Sequence, residues 1–392
     1  MNLNLNFWPT NYVGNRFRKF FTVFLLGICP VFAMNSVAQE VSLQELRNIY
    51  PEVDPFLGEA LQEGEIESAL EIARIISATL LESYPPGHVK RDAHTKAHGC
   101  VRAKFSVEEG LEQGLAKGVF IPGKTYDAWI RYSNGKADPA RADIKGDGRG
   151  MAVKLLGIEG KTLLERDASA GTQDFVMMST PVFFTHNPKD YVSLMQLFTS
   201  KSKIKKKLQP LLVPFSIGLK STKLAAQMTG AKISHPLKTR YWSTVPYQLG
   251  SGEERIAVKF SSRPCTPGTE ELPEDPDDNF LRHAMKETLS AGPACMEFLL
   301  QPRTSETMSV EDVQTEWLEE RAPFYKVATI TIPEQIFDTP EQNKFCEDLA
   351  FTPWHALPEH RPLGSVNRLR KVIYAHISTT RREANGVANV EP

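Results

Sequence analysis

Two short segments of the 392-residue sequence carry side chains suited to proton transfer and to holding an anion. The first is Arg91-Asp92-Ala93-His94-Thr95-Lys96-Ala97-His98-Gly99. An imidazole titrates near neutral pH, so His94 or His98 could take a proton from a bound molecule and hand it back. Their four-residue spacing would also suit a metal on a helix, but no neighbouring Glu completes a zinc motif. The second segment is Arg370-Lys371-Val372-Ile373-Tyr374. On a helix, residues four apart share a face, which sets a guanidinium beside a phenol. A free phenol titrates at about 10, and a permanent cation nearby favours its anion. Alone, either histidine reads as a hydrogen-bonded core or surface residue, and Tyr374 as a packed core residue.

These side chains need elements to position them. Leu57, Leu61, Ile66, Leu70, Ile72, Ile75 and Ile76 recur at helical spacing within 41–83, and Pro85-Pro86 ends the run. Strand patterns follow at 101–107, 126–133, 150–157 and 174–180, separated by Gly, Asp and Pro turns. A helical pair over 189–200 and 211–229 precedes four more strand patterns at 239–250, 255–262, 294–303 and 325–333. A last helical stretch begins at Val366. Two groups of four strands around a helical insert predict an α+β fold. Its centre is a closed antiparallel eight-stranded β-barrel with helices outside.

Further motifs lie at 129–135, 147–154, 179–184 and 351–354, with Arg381 beyond Tyr374. In this order and at these spacings, the set resembles the core of the haem catalases over about 84–381. Within that group it is most similar to the short, catalase-related haem peroxidases that lack the C-terminal helical domain. The resemblance implies a catalase-like barrel, a haem of b type with its iron, and a peroxide substrate. The family's distal histidine lies in Arg-x-x-His-x-Lys, which 91–96 match, so His94 is the implied acid/base. His98 is the substitute, because one residue is inserted before Gly99. The family serine that holds this histidine follows an Arg-aromatic pair, as Ser133 follows Arg131-Tyr132. The proximal ligand is the tyrosine of Arg-x-x-x-Tyr, which makes Tyr374 the iron ligand and Arg370 its tuner. Three family arginines hold the haem propionates, and Arg91, Arg131 and Arg381 occupy those positions. An aromatic covers the haem seven residues past the second Phe of Pro-x-Phe-Phe, which is Tyr191.

Two departures bear on activity. The family places an asparagine three residues before the Pro of Pro-x-Phe-Phe, and here that residue is Met178. A thioether is a weak acceptor and no donor, so hydrogen peroxide should be held poorly and catalase turnover should be weak. The sequence also ends eighteen residues after Tyr374, which predicts a short, wide route to the haem. The implied function is a haem peroxidase reducing hydrogen peroxide or organic hydroperoxides with an electron donor the sequence does not name. The alternatives are a fatty-acid hydroperoxide isomerase or dehydratase, as the allene oxide synthases of this superfamily are, and a haem-binding protein without turnover.

Bulk properties bound the rest. Hydrophobic residues make up 41% and charged residues 24%, enough to bury a large core. A net charge of −1 argues against a nucleic-acid partner. Arg16, Arg18 and Lys19, the apolar run 20–33 and Ser36-Val37-Ala38 read as a signal peptide over 1–38. The expected product is exported, periplasmic or secreted, with an N-terminal helical segment at 39–84 and the haem-binding domain at 85–392. Cys100, Cys265, Cys295 and Cys346 could pair there or remain buried thiols. Lys201, Lys203, Lys205, Lys206 and Lys207 precede an apolar run. The segment 201–217 therefore reads as a peripheral contact with anionic lipid or as a solvated face. The acidic stretch 274–278 reads as an exposed loop.

Overall fold

A computed structural model describes residues 44–268, 271–388 and 391. The signal-peptide segment 1–38 lies outside them. Nine strands form one antiparallel sheet: β1 (Ala97–Val107), β2 (Thr125–Asn134), β3 (Arg149–Leu156), β4 (Thr172–Met178), β5 (Tyr241–Trp242), β6 (Tyr247–Leu249), β7 (Ile256–Pro264), β8 (Ala294–Pro302) and β9 (Tyr325–Ile332). Their order is β5-β4-β3-β2-β1-β9-β8-β7-β6, and β5 also pairs with β7, which closes the ring. β5 and β6 are one strand broken at its middle. Thr244 there has a φ of 62°, and Pro246 has no N–H to give a ladder. Counted once, that pair makes the expected eight-stranded barrel, with 239–250 divided in two.

Side chains alternate across each strand. The inward set is aromatic: Phe105, Phe175, Phe260 and Phe298 meet at the barrel centre, with the Phe175 and Phe298 rings 4.8 Å apart. Outward residues face a helical layer. Its members are α1 (Glu65–Ser83), α2 (Pro188–Phe198), α3 (Lys203–Gly230), α4 (Phe280–Ala291), α5 (Pro340–Asp348) and α6 (Ser365–Asn385). α1, α2, α3 and α6 share a second core built on Ile72, Ile76, Leu194, Val213, Leu369 and Val372.

The structure corrects several expectations. The helical pattern from 41 holds only over α1 and a turn at 44–48. Pro51, Pro55 and the left-handed Gly58 and Gly64 interrupt it, and Leu61 stands exposed. α3 starts at Lys203 rather than 211, because the Ser202 hydroxyl accepts from the Lys205 N–H and caps it. α4 and α5 were not expected. α5 carries a legible start, with Thr339 as N-cap and Pro340 in its first turn. The four cysteines among the described residues are paired, as Cys100–Cys346 and Cys265–Cys295. Among the described residues no helix is long and apolar enough to cross a membrane.

Candidate active site

The site lies on the outer face of β2, β3 and β4, beneath α6. Antiparallel register aligns two outward rows: Ser133–Gly150–Met178 and Arg131–Ala152–Val176. Gly150 and Ala152 keep the centre of this face low, so a slot opens between sheet and helix. Two cavities of about 770 and 980 Å³, each including its open mouth, meet there and share Asp92, Ala93, His94 and Tyr374 in their walls.

His94 enters from the loop before β1. Its φ of 56° is left-handed, a conformation that costs a non-glycine residue on the order of 1 kcal/mol or more and is found at functional sites. Two bonds hold it. Its N–H donates to the Gly135 carbonyl at 3.0 Å, and Nδ1 lies 3.0 Å from the Ser133 hydroxyl. The ring rests on Gly150, where a Cβ would come within 2.5 Å of Nδ1. Burial, then Arg131 and Arg370, push its pKa down to about 4. His94 is therefore a neutral imidazole, with Nδ1 engaged and Nε2 left for the cavity.

Tyr374 projects from α6 into both cavities. Burial raises its pKa and outweighs Arg370, which lowers it; Asp92 raises it further. The guanidinium acts in the expected direction, but the protein's own groups leave a neutral phenol. Arg370 stacks over Phe183 at 5.5 Å and reaches Asn367 at 3.4 Å.

Arg91, Arg131 and Arg381 converge at the end of the first cavity. Arg91 donates to the Cys346 and Leu349 carbonyls and pairs with Glu347 at 3.0 Å. Arg381 donates to the Glu347 and Leu349 carbonyls. Arg131 reaches the Thr95 carbonyl at 3.3 Å, and its Nε has no hydrogen-bond partner. Burial and then Arg91 pull the Arg131 pKa down, and the same two causes bring Arg381 to about 9. Glu347 is the carboxylate set among them, and they hold it below the usual carboxylate range against the opposing pull of burial. Three guanidiniums converge around the Glu347 carboxylate, with the Asp92 carboxyl in the same wall, and a low-dielectric site tolerates such a cationic cluster best with further anions.

Tyr191 lies in the second cavity, its ring edge-on to Phe183 and Phe184 at 6.4 and 6.0 Å. Met178 lines the same cavity. His98 does not reach the site. It is buried on β1, 3.6 Å from Asp143, at an irregularity between Ala97 and Gly99 that breaks the strand's alternation; this also removes the paired-histidine metal reading. Three site residues escaped the sequence: Asp92, whose carboxyl burial raises in pKa, Gly150 beneath the imidazole, and Glu347. Glu347 follows a cysteine in an unexpected helix and looks like a surface residue; no local signal marks it.

The arrangement fits a flat, mostly apolar group carrying two carboxylates. The slot is low at Gly150 and Ala152, the three guanidiniums suit anionic tails, and a phenol and an imidazole line the slot.

No protein-family model matches the sequence, and no curated protein matches it. Solved structures do. A fungal catalase superposes with a TM-score of 0.56 at 16% identity, over 78% of this chain and 60% of that one. Catalase A from Saccharomyces cerevisiae gives 0.53 at 17%, over 78% and 62%. A bacterial catalase gives 0.57 at 15%, over 78% and 59%. The barrel and its helices have the catalase-core fold, and the chain spans about 60% of the length of these catalases.

Proposed function

We propose that this chain is a haem-dependent peroxidase acting on hydrogen peroxide or organic hydroperoxides. The observation that carries the reading is the slot itself, with a neutral imidazole, a phenol and three converging guanidiniums in its walls. Arg91, Arg131 and Arg381 would hold the two propionates, which supply the missing negative charge. Tyr374 would ligate the iron, and Arg370 favours its phenolate. When bound, haem supplies the redox centre at which a peroxide O–O bond is split.

The chain's own residues manage protons. The Ser133 hydroxyl accepts Nδ1–H of His94, which leaves Nε2 as the base. Nε2 takes the proton from one peroxide oxygen and returns it to the oxygen that leaves as water or alcohol. With its pKa near 4, His94 is unprotonated and ready over the whole neutral range. Two electrons and two further protons, from a donor and the solvent, reduce the remaining oxygen to water and complete the reaction.

Two disulfides support an oxidising compartment, in keeping with export. The test is haem reconstitution followed by hydroperoxide and an oxidisable phenol. Donor oxidation that His94→Ala abolishes while the Soret band stays supports the assignment. Isomerised lipid hydroperoxide with no donor consumed would replace it with the isomerase reading. Haem that ignores peroxide would leave a carrier.

A further inference from the structure

α3 carries apolar side chains on two opposite faces. Val213 and Ile217 are buried against the protein. On the other side Ile204, Leu208, Leu211, Phe215 and Leu219 are 72, 39, 66, 89 and 79% exposed. Steps of three and four residues align Ile204, Leu208, Leu211 and Phe215 in one stripe, and Leu219 follows the non-helical break at Gly218. A single exposed leucine is ordinary, but a continuous apolar stripe marks a contact surface.

Its surroundings say what the contact is. Lys203, Lys205, Lys206, Lys207, Lys220 and Lys223 are exposed on the same helix. The first four make no ion pair among the described residues. Between Asp190 and Glu253 the sequence holds ten Lys and Arg and no Asp or Glu. Lys201 pairs with Glu82 and Arg240 with Glu319, neither of them among the four lysines that open α3. An apolar stripe beside a one-sign cationic field complements a surface that is anionic outside and apolar beneath. A second copy of this chain would bring the same lysines against each other.

We propose that the first part of α3 docks the protein on an anionic phospholipid bilayer, lying in the interface with the Ile204–Phe215 stripe among the upper acyl chains and the lysines at the phosphates. The docking stands apart from the reaction assigned above.

The experiment is co-sedimentation of the full chain with vesicles of phosphatidylcholine, with and without phosphatidylglycerol, at low and high salt. Binding should require phosphatidylglycerol and weaken with salt. Replacing Lys203, Lys205, Lys206 and Lys207 by Gln should cost about fivefold in partitioning per lysine, the equivalent of ~1 kcal/mol each. Leu211→Glu with Phe215→Glu should abolish binding and leave the circular dichroism unchanged, since both side chains face solvent. Binding that ignores lipid charge, or that survives both sets of substitutions, overturns the proposal. So does a dimer that the Glu pair splits without changing vesicle binding, which would assign the stripe to self-association.

Discussion

Gly150→Ala tests the site where its geometry is tightest. A methyl group at this position would lie 2.5 Å from Nδ1 and 2.7 Å from Cε1 of His94, and 2.9 Å from the Ser133 hydroxyl. Ordinary contact begins at about 3.4 Å, so the ring must retreat by about 0.9 Å. The backbone bond from His94 to Gly135 and the left-handed φ prevent the loop from following freely. The Nδ1–Oγ bond, now 3.0 Å, would then stretch beyond hydrogen-bonding range. A displacement of about 1 Å at a reacting group costs on the order of 100-fold in rate, and overpacking costs about 1–3 kcal/mol of stability. The assay is hydroperoxide-dependent donor oxidation per haem, after matching Soret absorbance between variant and parent. Gly114→Ala, where the added Cβ meets open space, is the control. Haem uptake should persist in Gly150→Ala while the rate falls roughly 100-fold. An unchanged rate at an unchanged melting temperature would refute the packing of the His94 ring against Gly150 of β3.

Three further outcomes are expected. Cys100–Cys346 ties β1 to α5 beside Glu347, so the Cys100→Ser/Cys346→Ser pair should lose about 2–5 kcal/mol and bind haem less tightly; a denaturant melt indifferent to reductant would contradict this. Met178→Asn adds a donor and an acceptor to the second cavity, and oxygen evolution from hydrogen peroxide should rise about fivefold, the worth of one hydrogen bond at ~1 kcal/mol; an oxygen electrode decides it. His355 is buried between Asp167, at 2.9 Å, and Asp174, at 3.1 Å, with Lys154 beside it. Burial and Lys154 pull its pKa down, but the two carboxylates win and the net shift is upward. A group whose pKa is raised by folding stabilises below its unfolded value, about 6.5, and that stability fades as pH rises through the folded value. Melting temperature should therefore decline above neutral pH, and Asp167→Asn should flatten the decline; an identical slope in the variant would show that His355 is not its source.

The candidate site residues were named from motif order through the resemblance, and short-range rules agree with their placement. Alternation turns Arg131 and Ser133 to one face of β2, and helical spacing puts Arg370 one turn before Tyr374 on α6. Seven of the eight barrel strands could be read for the same reason; the other was broken at Thr244 and Pro246, whose backbone requirements override an apolar pattern. Residue types at those positions also indicated which side chains could move protons and which could hold anions.

Tertiary structure alone decided what those residues meet. Arg91, Arg131 and Arg381 come from a loop, a strand and a helix spread over 290 positions, and only barrel closure and the docking of α6 gather them around Glu347. The same closure chose the cysteine pairs and set Gly150 under the imidazole, while an irregularity at the start of β1 turned His98 to Asp143. It also decided the protonation of Tyr374, because the desolvation of a phenol depends on everything packed around it. Local sequence fixes backbone conformation and the side a residue faces, whereas charge balance and burial are sums over neighbours that only the folded chain brings together.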